Sequence, residues 1–317
     1  IMPNYNGVWS LSTQYQYATT WQNDHLPPTR ALFAGGNSQD VIEFVQVETT
    51  GNSTDFGNLL AADDNKIASC SSRTRYIAAG GRSGATNLDV IQYVEFATLG
   101  NASDFGDLTA VRASVRGGSN GVRGVIGGGN ANNTVIDYIT IASTGDATDF
   151  GDLTVGRGPL GAVSSAVRIC FAGGDVSGKK DEIDYVTTAT AGNATDFGNL
   201  TAARDSGGGS ISSTTRGLFY AGNLGDPGRT DVIEYITIAS TGNGSDFGDL
   251  DTGYVNIAGA SSKIRGLIAG GFNAADSGVN TIQYVTIATT GNAADFGDLL
   301  AVKYSHTGDS NGHGGIA

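Results

Sequence analysis

Charged side chains are scarce in this chain: 15% of its 317 residues are Asp, Glu, Lys or Arg, and 31 acids outnumber 18 bases. The formal charge of −13 repels nucleic-acid phosphates and anionic membrane surfaces, so neither is expected as a partner. No apolar run approaches the length of about 18 residues that marks a membrane-spanning helix. Residues 1–9 lack a basic segment followed by an apolar core, so no secretory signal is read there, and the opening Ile1 is read as the start of a processed or trimmed piece. Cysteine occurs twice, as Cys70 and Cys170, which fall in different repeats. Both are expected as buried thiols, because a disulfide needs Cα atoms within about 7 Å. Of the three histidines, His306 and His313 stand seven apart and His25 is remote, so no zinc spacing exists. Asp146, Asp149 and Asp152 lack the alternation of a calcium loop, and no metal or other cofactor is expected. Lys and Glu are rare while glycine reaches 49 residues, a composition that disfavours long helices and suits short strands with tight turns.

What is present is a repeat. The tripeptide Asp-Phe-Gly occurs six times, with its phenylalanine at Phe56, Phe105, Phe150, Phe197, Phe247 and Phe296. Twelve residues before each stands an aromatic: Phe44, Tyr93, Tyr138, Tyr185, Tyr235 and Tyr284. An arginine opens a short apolar run in each unit, at Arg30, Arg75, Arg123, Arg168, Arg216 and Arg265. The period lies between 45 and 50 residues. Each unit reads as four strands, the third rich in β-branched and aromatic residues and largely apolar on both faces, as a sheet sandwiched between two others requires. The first unit begins at its second strand, and residues 303–311 supply a first strand with no unit of their own after it. The expected fold is therefore all-β, a six-bladed β-propeller of residues 29–317, closed by pairing of the C-terminal strand with the strand that starts at Arg30.

The order of these features resembles the kelch repeat. Gly35-Gly36, Gly80-Gly81, Gly173-Gly174 and Gly270-Gly271 match its double glycine, and the third-strand tyrosines match as well. Phenylalanine replaces the tryptophan of the fourth strand in all six units. Strings such as residues 138–145 with 148–153, together with the opening 6–15 and the closing 310–315, resemble propeller repeats in virion proteins of tailed phages of marine bacteria. That resemblance implies a virion location and, as partners, other virion proteins or further copies of the chain, with a host-surface glycan as ligand.

A feature copied six times serves the scaffold, since one reaction centre needs no six copies. By that test the Asp-Phe-Gly triplet is structural, its aspartate expected to accept N–H groups in a turn and its phenylalanine to pack between blades. The arginines are expected to stack on the aromatic or to pair with that aspartate. Of the Asn-x-Ser/Thr triplets at Asn52, Asn101, Asn132, Asn193 and Asn243, four are one turn copied around the ring. A nucleophile elbow, a P-loop and a dinucleotide fingerprint are all missing. The arginine-to-aromatic interval varies from 14 to 19 residues while the others hardly change, which places six unequal connections (37–40, 82–89, 130–134, 175–182, 223–231 and 272–280) on one face. Lys179, Lys180, Asp226 and Arg229 are the candidate binding residues there. Residues 1–28 form an aromatic-rich arm whose Trp9, Tyr15 and Trp21 are candidates for assembly contacts.

The expected function is a non-catalytic virion-associated module, a fibre tip, decoration or adhesin that shows its loops to a glycan or a neighbouring subunit. The alternatives are a glycan-degrading enzyme working in the central channel and a bacterial surface adhesin. The enzyme would require unrepeated Asp, Glu, His or Tyr side chains to converge at the axis.

Overall fold

The computed structural model describes residues 28–63, 67–130, 133–175, 177–205, 207–225 and 228–316. These form six four-stranded antiparallel sheets. From the axis outward, blade 1 consists of Thr307–Ser310, Arg30–Ala34, Gln39–Gln46 and Thr54–Asp63. Blade 2 runs Ala68–Ser71, Arg75–Ala79, Val90–Glu95 and Ser103–Asp107. Blade 3 runs Arg116–Ser119, Arg123–Gly127, Val135–Thr140 and Thr148–Asp152. Blade 4 runs Gly161–Ser164, Arg168–Asp175, Lys179–Thr187 and Thr195–Arg204. Blade 5 runs Gly209–Ser212, Arg216–Tyr220, Val232–Thr237 and Ser245–Asp249, and blade 6 runs Ala258–Ser261, Arg265–Ala269, Thr281–Thr286 and Ala294–Asp298. The protein is a six-bladed β-propeller.

No blade holds a core of its own. Each apolar cluster joins two neighbours: Phe33 and Val45 of blade 1 pack with Leu267 and Phe296 of blade 6, while Leu32 and Phe56 pack with Tyr76 and Val94 of blade 2. Strands apolar on both faces are thus a necessity of the stacking.

The Asp-Phe-Gly triplet is a β-bulge. In blade 3, Gly151 pairs with Ile136 and Asp149 with Asp137, so Phe150 is the extra residue without a partner across the ladder, and the same shift recurs in the other five blades. The bulge turns the phenylalanine inward, where it meets the third-strand aromatic edge to face at 5.9–6.2 Å. The following glycine lies against the turn of the next blade, so a Cβ on Gly151 would stand 2.5 Å from the Gly192 carbonyl. The triplet's aspartates, expected as N–H acceptors, are instead exposed. That task falls to the turn residue of the next blade, as when Asn193 Oδ1 accepts the Asp152 N–H at 3.1 Å.

The arginines adopt the stacked arrangement. Each guanidinium lies over its own blade's aromatic at 4.4–5.1 Å and donates to a carbonyl of the following blade, as Arg123 does to Thr188 at 2.9 Å. The series closes on itself, because Arg265 of blade 6 donates to Val47 of blade 1 at 3.1 Å. Ring closure follows the expected course: Ala31 to Ala34 pair with Ser310 to Thr307. Asn311 Oδ1 accepts the Arg30 N–H at 2.8 Å, as Asn120 does for Arg123 within one continuous hairpin. Both cysteines are free and buried.

Candidate functional site

Polar groups inside the ring fall into those that every blade shares and those that one blade alone carries. In the shared set, the residue before the third-strand aromatic accepts the first linker N–H that follows the leucine after each triplet: Gln92 from Leu60 (2.7 Å), Asp137 from Thr109 (3.1 Å), Asp184 from Thr154 (3.3 Å) and Glu234 from Thr201 (2.6 Å). Gln283 and Glu43 do the same for Asp251 (3.1 Å) and Leu300 (2.7 Å). Where the acceptor is an acid, the fourth linker residue past that leucine is a base, giving the buried pairs Arg112–Asp137, Arg157–Asp184 (2.9 Å), Arg204–Glu234 and Lys303–Glu43 (2.8 Å). Where the acceptor is glutamine, that linker position holds Asp63 or Tyr254. In these four blades the buried charges at this position are matched in pairs, as burial demands. Burial still lowers Lys303 below the ordinary lysine range despite Glu43, and brings Arg204 down to about 10.

A second shared feature escaped the sequence reading. The last residue of every innermost strand is serine: Ser71, Ser119, Ser164, Ser212, Ser261 and Ser310. Each hydroxyl bonds the backbone of the preceding blade's serine. Ser71 donates to the Ser310 carbonyl (2.7 Å), Ser119 to Ser71, Ser261 to Ser212 (2.8 Å) and Ser310 to Ser261. Ser164 accepts from the Ser119 N–H (3.1 Å) and Ser212 from the Ser164 N–H (3.3 Å). A closed ring of hydroxyl-to-backbone links results. Its signal was present as a serine four residues before five of the six arginines, the sixth serine, Ser310, standing four before Gly314.

The unequal connections leave one face together with the linkers between blades. Gly81, Gly129, Gly222 and Gly271 donate there to the carbonyls of Arg112, Arg157, Tyr254 and Lys303. The connection of blade 4 is tighter than the spacing implied: Lys179 and Lys180, expected in a loop, stand in the strand Lys179–Thr187, opposite Asp175 and Gly174. Lys180 Nζ lies 3.8 Å from Glu182, and Lys179 Nζ reaches toward Gly225 in the connection of blade 5. Arg229 is a strut between loops, bonded to the Asp276 carboxylate and the Asn273 carbonyl of blade 6 and lying 5.9 Å from the Phe272 ring. Lys179 and Arg229 thus occupy neighbouring sectors of one face. Asp226, Trp9, Tyr15 and Trp21 lie outside the described residues.

The unshared polar groups gather along the axis. A cavity of about 70 Å³ is lined by the innermost strands and includes Ser69, Arg116, Ser210, His306, Thr307 and Asp309. Residues after Ser310 close it at the level of the serine ring. His313 Nδ1 accepts the Gly315 N–H (3.0 Å), which leaves Nε2 as the donor toward Ser119 Oγ (3.1 Å), and the Gly314 N–H donates to the Ser212 carbonyl (3.1 Å). Burial depresses His306 well below the usual histidine range, with Lys303 acting in the same direction. Among the described lining residues Asp309 is the one carboxylate, whereas glycoside hydrolysis uses an acid pair. None of these axial residues was singled out as a site from the sequence, although Arg116, His306 and Asp309 each interrupt the repeat. Comparison of the chain with protein-family models and with curated proteins found no match.

Proposed function

We propose that this propeller is a non-catalytic recognition module whose face of unequal connections contacts a surface glycan or a neighbouring subunit, in the setting of a tailed-phage virion. The observation that carries the reading is the contrast between scaffold and face. The bulges, stacked arginines and serine ring repeat sixfold, while the second-to-third connections differ in length, fold and charge. Rigid scaffold with variable loops is the usual division of labour in recognition domains. The kelch-like strand order and the phage-like wording of the repeats support the virion setting, and the arm bearing Trp9, Tyr15 and Trp21 is assigned to assembly.

Purified protein is tested on a glycan array and in adsorption to candidate host cells, alongside mass spectrometry of purified virions. Binding that weakens several-fold in Lys179→Ala and Lys180→Ala, with unchanged unfolding, is the expected result. Absence from virions together with no adsorption removes the proposal.

A further inference from the structure

Because five blades show what the scaffold requires, the sixth reveals what it does not. Just before the innermost strand stand Ile67, Val115, Leu160, Gly208 and Ile257, but blade 1 carries His306. At the first position of that strand stand Ala68, Gly161, Gly209, Ala258 and Thr307, but blade 3 carries Arg116. Neither ladder nor core needs an imidazole or a guanidinium at these places. Both side chains line the axial cavity.

His306 is 5% exposed, and both its ring nitrogens lack a hydrogen-bond partner. A buried polar group left unbonded costs free energy that a bound partner would return. Arg116 is oriented by carbonyls, with Nε directed at Leu160 (3.1 Å) and Nη1 at Val115 (3.0 Å), which fixes the guanidinium plane against the wall. Ser69 Oγ donates to the Gly308 carbonyl at 2.9 Å and is hydrogen-bonded to Thr307 Oγ1 at 2.6 Å, so these hydroxyls reach a ligand by turning from their present partners. Asp309 takes the Ser310 N–H on Oδ1 (2.8 Å) and lies near Cys70 and Tyr76 on the blade 2 side. The lining therefore combines one fixed cation, an unpaired imidazole, hydroxyls and, on the blade 2 side, the Asp309 carboxylate, from which a bound anion must stand apart.

We propose that the axial cavity binds an oxyanion (carboxylate, phosphate or sulfate) through Arg116, His306 and the Ser69–Thr307 hydroxyls. A space of about 70 Å³ is well above the roughly 10–15 Å³ that one water requires and has room for a small free anion or for the acidic substituent of a larger glycan. The tail around His313 blocks the serine-ring end, so the ligand enters from the face of unequal connections. This assignment does not rest on the loop-face reading.

Calorimetry and thermal unfolding with phosphate, sulfate and acetate, against chloride at equal ionic strength, test it directly. A parallel arm compares sulfated or carboxylated oligosaccharides with neutral ones. We expect saturable binding in at least one arm, weakened at least about tenfold by Arg116→Ala and by His306→Ile. The second variant installs the isoleucine that blades 2 and 6 carry there, so it is expected to retain the fold and keeps the test readable. Binding by free anions identifies a small-ion site; binding by acidic oligosaccharides alone identifies a glycan substituent. Wild-type protein that responds to neither, or variants that bind as tightly as wild type, overturns the proposal.

Discussion

Arg157 illustrates how a single side chain is committed here. Its Nε donates to the Gly173 carbonyl at 2.8 Å while Nη1 meets the Asp184 carboxylate at 2.9 Å, both groups being fully buried. Removing one partner leaves a buried charge unpaired, so Arg157→Met is expected to cost about 3–5 kcal/mol in urea unfolding. Adding Asp184→Gln should recover most of that loss, since Gln92 and Gln283 already serve as neutral acceptors in blades 2 and 6. His306 gives a pH signature. Its folded-state value lies below the unfolded one, so the unfolded chain binds the extra proton and stability falls with acid. The contribution of this residue is flat above pH of about 6.5 and declines below it by at most about 1.4 kcal/mol per unit. In His306→Ile the decline over the first units below that point should be shallower, as read by melting temperature across a pH series.

At the scale of the element, the bulge decides which glycines matter. Gly151 and Gly145 have nearly the same φ, 144° and 150°. A Cβ on Gly151 would strike the Gly192 backbone, while around Gly145 nothing lies within 4 Å. Gly151→Ala should therefore destabilise by about 1–3 kcal/mol more than Gly145→Ala, since the strain of φ cancels and the inter-blade clash remains. Equal losses in the two variants would show that φ alone sets the requirement. The strands, their order and the closing pair were legible because hydrophobic period and triplet spacing are local signals. The bulge was not, because register is a property of two strands: the triplet read as a turn with an accepting aspartate, whereas Phe150 is the displaced residue and Asn193 of the next blade is the acceptor. Lys179 and Lys180 were placed in a loop because interval length cannot distinguish a loop from an extended hairpin. The axial lining stayed hidden for a third reason. Arg116 and His306 are far apart in sequence and meet only when the ring closes.

For the whole molecule, closure depends on a short tail. Residues 306–316 provide the innermost strand of blade 1, the Asn311 cap on Arg30 and the His313 contacts that cross the axis. Deleting them should lower the unfolding midpoint by more than any single substitution above and broaden the calorimetric transition, because a ring loses cooperativity when it becomes an open stack. A sharp, near-native transition after deletion would mean that the inter-blade cores alone hold the circle. The serine collar sets a further condition. Six hydroxyls reaching backward by one blade each complete a loop, and a duplicated repeat would bring a seventh serine with it, so the collar could close again only at a wider circumference. Gene-level duplication, the ordinary way such tandem chains lengthen, would therefore alter the angle between all neighbouring blades and widen the hub that His313 and the tail now fill.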